Sequence, residues 1–322
     1  MVQPEDIMKL EELKKAQRNL IYYIVEGLNK EVLKEFLFFS YLGARICYAS
    51  THPLALFEEE KFKNFDRFKS FLLHLKKAGH YSVFAHTPLW VDLSKTSVET
   101  RFKIAVSFFK IFWDKSKEKA IFNLRHLAEN LEDSEFEKLI NLKPNLDSIF
   151  IIIIRKDKKI FEGYFNELSK NILTPCVNDV FVDSEVIIIE NKKIREFKWI
   201  GVIAHNFSRI FSHQFVRHTW LNFNQRSHRY TDVDYFVVPE VFSEKDKEVY
   251  SQIIKQSMGV YAELKKKMKK EWARFVVPQG VATTVLATGP ELVWRDFISK
   301  RAIPQAQSEI RYLAEILKRE LF

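Results

Sequence analysis

The run Ile149–Ile154 strings five isoleucines and one phenylalanine together without a break. It is far too short to cross a bilayer, which takes roughly 20 apolar residues, and its β-branched side chains suit a buried strand. A chain with such a segment has to build a sheet around it. Residues 180–200, VFVDSEVIIIENKKIREFKWI, add to that demand and read as a hairpin turning through Asn191. With 29 phenylalanines against 8 glycines among 322 residues, the interior is expected to rely on bulky packing rather than glycine-rich phosphate turns. No GxGxxG or Walker-type loop is present.

Around these strands the apolar spacing is helical. Residues 5–48 read as helix, charged at first and then apolar through EVLKEFLFFSYLGARICYAS. Residues 62–77 repeat Phe68, Phe71, Leu72 and Leu75 on one face and stop at Gly79, while 81–93, with Pro88, read as strand-containing. Helical spacing returns over 98–142, in FKIAVSFFKIFW and FNLRHLAENL, and again over 201–218, where Ile203, Phe207, Ile210, Phe211, Phe215 and Val216 form an apolar face. A polar, basic loop is expected at 222–232, then helices at 247–272, 291–299 and 305–321. The last of these would bury Ile310, Leu313, Leu317 and Leu321. The expected class is α/β (α+β), with long helices beside a sheet.

The highly charged start has no apolar targeting core, so a cytoplasmic protein without membrane association is expected. With only Cys47 and Cys176, no disulfide framework is expected. No metal site is expected either, since His213, His218 and His228 lack a defined acidic or cysteine partner. The net charge of +9 suits a phosphorylated metabolite or dinucleotide as well as nucleic acid. Its lysine runs, such as LKKKMKK, read as solvated surface. Nucleic-acid binding is set aside because no recognition module accompanies them.

The chemistry concentrates in Gln214-Phe215-Val216-Arg217-His218, followed by Asn224, Ser227, Arg229 and Tyr230. Gln214 and Arg217 share a helix face, and the loop beyond adds a hydroxyl and another guanidinium. Such a group can surround a phosphate, with charge-assisted bonds of about 1.5–3 kcal/mol each. Arg274, Arg295, Asp296, Arg301, Gln305 and Glu309 either extend this site or form a surface ion-pair network. His80 and His86 are candidates for proton transfer or structural histidines, and Trp220 is a candidate stacking surface or a packing residue.

The segment Arg217–Tyr230, RHTWLNFNQRSHRY, with SHQFV before it, resembles the signature of the flavin-dependent thymidylate synthases, an Arg-His-Arg opening, a polar middle and a Ser-x-Arg-Tyr ending. GARICYAS near residue 43, GHYSVFAH at 79–86, ARFVVP and RAIPQAQSEIR look like further family landmarks in the same order. The resemblance implies a mixed α/β protein, one domain over 1–322, commonly a homotetramer whose active sites draw on several subunits. It implies an FAD-dependent methyltransferase that converts dUMP to dTMP with methylenetetrahydrofolate and a reduced nicotinamide dinucleotide (NADP). On that pattern Gln214, Arg217, Ser227, Arg229 and Arg274 would bind dUMP, chiefly its phosphate. Arg301 would face the pyrimidine and stabilise charge developing on it, and His80 would lie on the flavin and folate side as a second catalytic residue. Ser82, His218, Asn224, Asp296 and Gln305 would contact FAD.

The chain departs from the pattern at Thr219, Asn222 and Gln225, at Ala85, and at Pro290 and Leu292, where the family has Asn-x-Arg. Residues 98–190 read as an insertion. Within it, Asn123-Leu124-Arg125-His126-Leu127 resembles the missing Asn-x-Arg-x-Leu, which makes Asn123 and Arg125 candidate displaced flavin contacts; a polar helix edge is the alternative. Two functions compete: FAD-dependent thymidylate synthesis, and a catalytically altered relative that binds a nucleotide or has a structural or regulatory role.

Overall fold

Helices begin where an Asn or Ser side chain accepts backbone N–H groups that a first turn leaves unpaired: Asn29, Asn64, Ser97, Ser208 and Ser243 all do so. The computed structural model describes residues 4–174 and 177–322, so Cys176 lies outside the described residues. The fold is mixed α/β, and the chain packs as two compact units, 4–41 with 59–145 and 42–58 with 146–322. The segment 98–190, read from the sequence as one insertion, is shared between them: 98–145 in the first and 146–190 in the second.

The first unit contains α1 (Pro4–Glu26), α2 (Lys30–Phe36), the start of α3 (Phe38–Tyr48), α4 (Glu60–Lys63), α5 (Phe65–Lys77), β1 (Pro88–Asp92), α6 (Val98–Ser107), β2 (Phe112–Trp113), β3 (Lys119–Asn123), α7 (Leu124–Asn130) and α8 (Asp133–Leu139). Gly79, at φ 74°, ends α5 as its position suggested, taking the left-handed conformation open to glycine. The wholly helical reading of 98–142 is corrected, because β1, β3 and β2 form an antiparallel sheet there. Asp114 causes the change of direction: its carboxylate accepts the Glu118 and Lys119 N–H groups and closes a hairpin that apolar spacing alone does not show.

The second unit contains β4 (Ile149–Arg155), β5 (Lys158–Tyr164), β6 (Val177–Asn178), β7 (Phe181–Val182), β8 (Glu185–Asn191), β9 (Trp199–Ser208), α9 (Arg209–Phe215), β10 (Asn222–Gln225), α10 (Glu244–Lys267), α11 (Lys270–Ala273), β11 (Ala282–Pro290), α12 (Glu291–Arg301) and α13 (Ser308–Leu321). Its six-stranded antiparallel sheet runs β10-β11-β9-β8-β4-β5, with the expected hairpin β8–β9 at its centre and the isoleucine run, β4, beside it. The helix expected over 201–218 is corrected: 199–208 is strand and only 209–215 is helix. Every residue of β9 is buried between β8 and β11, so its first six residues, 199–204, carry no polar side chain on either face and lack the alternation that would mark a strand. Ile210 and Val216, placed on the apolar face from sequence, are exposed. The expected 222–232 loop begins with β10, paired to β11 from Asn222↔Thr288 to Gln225↔Val285.

A bulge near the end of β9 aims the chain toward α9. His205 and Asn206 oppose Thr284 alone, and Asn206 takes φ 58°. Ser208 then caps α9 while both its N–H and its hydroxyl donate to Glu309 of α13. Behind this junction Phe207, Phe211 and Phe215 pack in sequence at ring separations of 4.5 and 5.0 Å, and Phe215 meets Phe297 of α12 at 5.4 Å. Truncating one of these fully buried rings to alanine would cost about 3–5 kcal/mol. α13 buries Ile310, Leu313 and Leu317 as expected, with Leu321 half-buried.

Candidate functional site

Strand β10 divides the signature segment into two ends. Arg217 and His218 precede it and Ser227 and Arg229 follow it, and four strand residues at ~3.3 Å each separate the ends by about 13 Å. At the first end the His218 ring stands edge-on to Phe297 at 4.9 Å, so the aromatic stack that shapes α9 also fixes the imidazole. The Arg301 Nε–H donates to His218 Nε2 at 2.8 Å. That bond requires the neutral ring with its proton on Nδ1. Burial, reinforced by the Arg301 charge, pushes His218 down to about 4, consistent with an acceptor imidazole at neutral pH. Arg217 is exposed beside it, and Asp296 ion-pairs with Lys300 at 2.7 Å rather than with either arginine. Among the described residues neither Arg217 nor Arg301 has a carboxylate partner, so their charge remains available to an anion.

At the second end Ser227 is half-buried and Arg229 exposed, its Nε 3.1 Å from Glu271 and its guanidinium 5.4 Å from the Tyr230 ring centre. Arg274, half-buried just beyond α11, lies in the field of Arg209, which begins α9. Burial, and then the Arg274 charge, lowers the Arg209 pKa. Among the described residues this like-charged pair has no carboxylate partner. Buried His228 sits in the field of Arg226, Arg209 and Arg274; burial chiefly pushes it down to about 4, and its Nε2 has no hydrogen-bond partner among the described residues. The arrangement can take up a multiply charged oxyanion, with guanidinium groups supplying both charge and directed donors.

The remaining sequence candidates are placed separately. Gln214 is half-buried on α9, one turn before Arg217, and Gln305 is exposed between α12 and α13. Asn224 is buried on β10, and its amide donates to Cys47 Sγ at 3.0 Å. In the first unit His80 and Ser82 are exposed at the start of the 3-10 turn Tyr81–His86. Asn123 takes the N-cap position of α7 without capping it, and its Oδ1 is buried with no hydrogen-bond partner among the described residues. Arg125, nearby, is ion-paired to Glu129 at 2.7 Å. Among the positions departing from the family pattern, Gln225 donates to Thr283 Oγ1 at 3.2 Å, Pro290 precedes the first turn of α12, and Leu292 is exposed.

Sequence reasoning missed Arg209 and Arg226. Arg209 follows a strand end read as helix, and nothing local distinguishes it from a surface arginine. Arg226 lies inside the signature yet is 6% exposed, with its guanidinium on Ser50, Thr231, Asp232 and Asp234. The cluster of Asp and Thr residues just after it was the available signal.

Comparison with known proteins places the chain beside one family. The family described as "Thymidylate synthase complementing protein" matches residues 191–322. The chain is 33% identical over 117 residues to a flavin-dependent thymidylate synthase of Pyrococcus furiosus, covering 33% of this chain and 48% of that protein. It is 35% identical over 128 residues to that of Pyrococcus abyssi, covering 35% and 52%. Against the Sulfolobus acidocaldarius protein of the same description it is 33% identical over 184 residues, covering 55% and 68%. The chain therefore spans about half the length of the first two relatives and about two thirds of the third.

Proposed function

The chain belongs to the flavin-dependent thymidylate synthase family, and from that premise we propose that it catalyses the reductive methylation of dUMP to dTMP with FAD, methylenetetrahydrofolate and a reduced nicotinamide dinucleotide. The observation that supports this most is the Arg301–His218 contact beside Arg217, a guanidinium oriented by a neutral imidazole and without a carboxylate partner among the described residues. Arg301 would stabilise negative charge developing on the pyrimidine, and His218 would hold it by accepting at Nε2. Gln214 and Arg217 at one end of β10, and Ser227, Arg229 and Arg274 at the other, would bind the phosphate. Because β10 keeps these ends apart in one chain, the reading includes a homotetramer in which one subunit's first end meets another's second. Exposed Val249, Ile253 and Val260 on α10 give that assembly apolar surface to bury.

Side chains in each unit have chemistry that suits a flavin nucleotide: in the second, polar His218 and cationic Arg217 precede exposed Trp220, and in the first, Asn123 keeps a buried acceptor that no described protein group uses. We assign Ser82, His218, Asn224, Asp296, Gln305, Asn123 and Arg125 to holding FAD, with His80 on the folate side. When bound, FAD would supply the reducing equivalents and take part in carbon transfer. A cytoplasmic location fits this chemistry, and no helix among the described residues is long and apolar enough to cross a membrane.

The test is conversion of dUMP to dTMP by purified protein supplied with FAD, methylenetetrahydrofolate and NADPH, alongside its flavin absorption spectrum. Correctly folded tetramer that binds neither FAD nor dUMP and forms no product defeats the reading. A second reading, nucleotide binding without turnover, is favoured by Pro290 and exposed Leu292 at the Asn-x-Arg position. Tight dUMP binding with no product would select it.

A further inference from the structure

Arg226 is the arginine of the signature segment whose Nε and Nη2 are engaged inside the protein. Its Nη2 is 2.5 Å from Asp234 Oδ2, 2.8 Å from the Asp232 carbonyl and 3.1 Å from Ser50 Oγ, while Nε donates to Thr231 Oγ1 at 3.1 Å. Nε and Nη2 are thereby spent on the protein, and the residue as a whole is 6% exposed. Its backbone N–H donates to the Thr284 carbonyl of β11 at 2.8 Å, so main chain and side chain are fixed at once.

The loop from 226 to 234 closes around this guanidinium. The Ser227 carbonyl accepts the N–H groups of Tyr230 and Thr231, and the Ser227 N–H donates to the Cys47 carbonyl at 3.0 Å. Tyr230 packs on Tyr48 at 5.0 Å. Asp232 then ties the loop to α10 through Lys265 at 2.6 Å and to α11 through Lys270 at 3.0 Å. Arg274 lies four residues beyond Lys270. One buried cation therefore organises the loop that carries Ser227 and Arg229, and that loop is braced against the element leading to Arg274.

We propose that Arg226 is a positioning residue: clamped by Asp234, Thr231 and Ser50, it sets where Ser227 and Arg229 present their donors to the phosphate of the nucleotide. The role rests on the dUMP reading given above and adds the group that preorganises its phosphate side. A buried arginine bound on several sides is stiff, and a lysine cannot reproduce its planar fork, so even a charge-conserving change should loosen the loop.

The experiment compares dissociation constants for dUMP and for deoxyuridine, which lacks the phosphate, in the parent, Arg226→Lys and Asp234→Asn. Hydrogen exchange over 226–234 and thermal stability are followed in the same proteins. In Arg226→Lys the dUMP constant should weaken roughly 10- to 100-fold, as expected for one or two misplaced charge-assisted bonds, with deoxyuridine within about twofold of the parent. Asp234→Asn should move the same way by less, with faster exchange confined to the loop in both. An unchanged dUMP-to-deoxyuridine ratio in both folded variants overturns the proposal. So does parallel weakening of both ligands that tracks lost thermal stability, which marks a structural role only. A parent that binds neither dUMP nor deoxyuridine is a different failure, of the functional reading itself, and takes the positioning role with it.

Discussion

Arg301 and Arg226 stand at opposite ends of β10 and put their charge to opposite uses. Arg301 gives one N–H to a neutral histidine and has no carboxylate partner among the described residues; Arg226 is buried on a carboxylate, two hydroxyls and a carbonyl. The difference teaches that an arginine in a binding motif is assigned by what its nitrogens already touch. A guanidinium whose charge is unpaired can recognise an anion, whereas one buried on a carboxylate shapes the place where recognition happens.

The contrast is broken most directly at Arg226. Arg226→Ala should lower the unfolding free energy by about 1–3 kcal/mol, because the Ser50, Thr231 and Asp232 acceptors lose a buried donor while Asp234, a third exposed, loses its ion-pair partner; urea denaturation measures it, and a loss below about 0.5 kcal/mol would remove the distinction. Arg301→Ala should leave stability within about 0.5 kcal/mol but reduce kcat roughly 10²- to 10³-fold, the usual consequence of losing a donor to developing charge. Steady-state kinetics on protein of unchanged thermal midpoint decide that outcome.

Arg209 offers a sharper version of the same comparison, since it neighbours another cation instead of an anion. Arg209→Ala should weaken dUMP by about tenfold or somewhat more while holding or slightly raising stability through relief of the Arg274 repulsion. Calorimetric titration paired with thermal melts would show it, and lost stability with unchanged affinity would place Arg209 in the scaffold.

The smallest expected effect is on pH dependence. His126, His218 and His228 are each depressed from 6.5 to about 4, burial being the first cause, and His205 is held well below its usual value. Between about pH 6.5 and 4 the unfolded chain binds protons that the folded chain refuses, so stability is fully present above this window and falls as pH drops through it. His228→Asn should flatten that slope; an unaltered slope would remove His228 from the set. Protonation of His218 at Nε2 would also break its bond from Arg301, so activity should fall in acid faster than global unfolding requires.

The recognition arginines and the buried arginine look alike in the sequence. Arg217, Arg226 and Arg229 are all cations in one polar stretch, and only Arg226's neighbours Thr231, Asp232 and Asp234 hinted at its fate. The isoleucine run, the hairpin at Asn191 and the Gly79 helix stop were legible because each depends on local chemistry. β9 was misread because burial on both faces erases alternation, and β3 because a single aspartate closes its hairpin.

The amino-acid order by itself determined that the chain contains a buried strand, long amphipathic helices and a phosphate-suited set of polar residues near 214–230. Tertiary structure decided which of those residues still have donors to offer. The pairings that settle this join positions far apart in the chain, Arg301 with His218 across 83 residues and Arg226 with Ser50 across 176. Local propensity carries no information at that separation; packing of the aromatic stack against α12, and of residues 47–50 against the 226–234 loop, does.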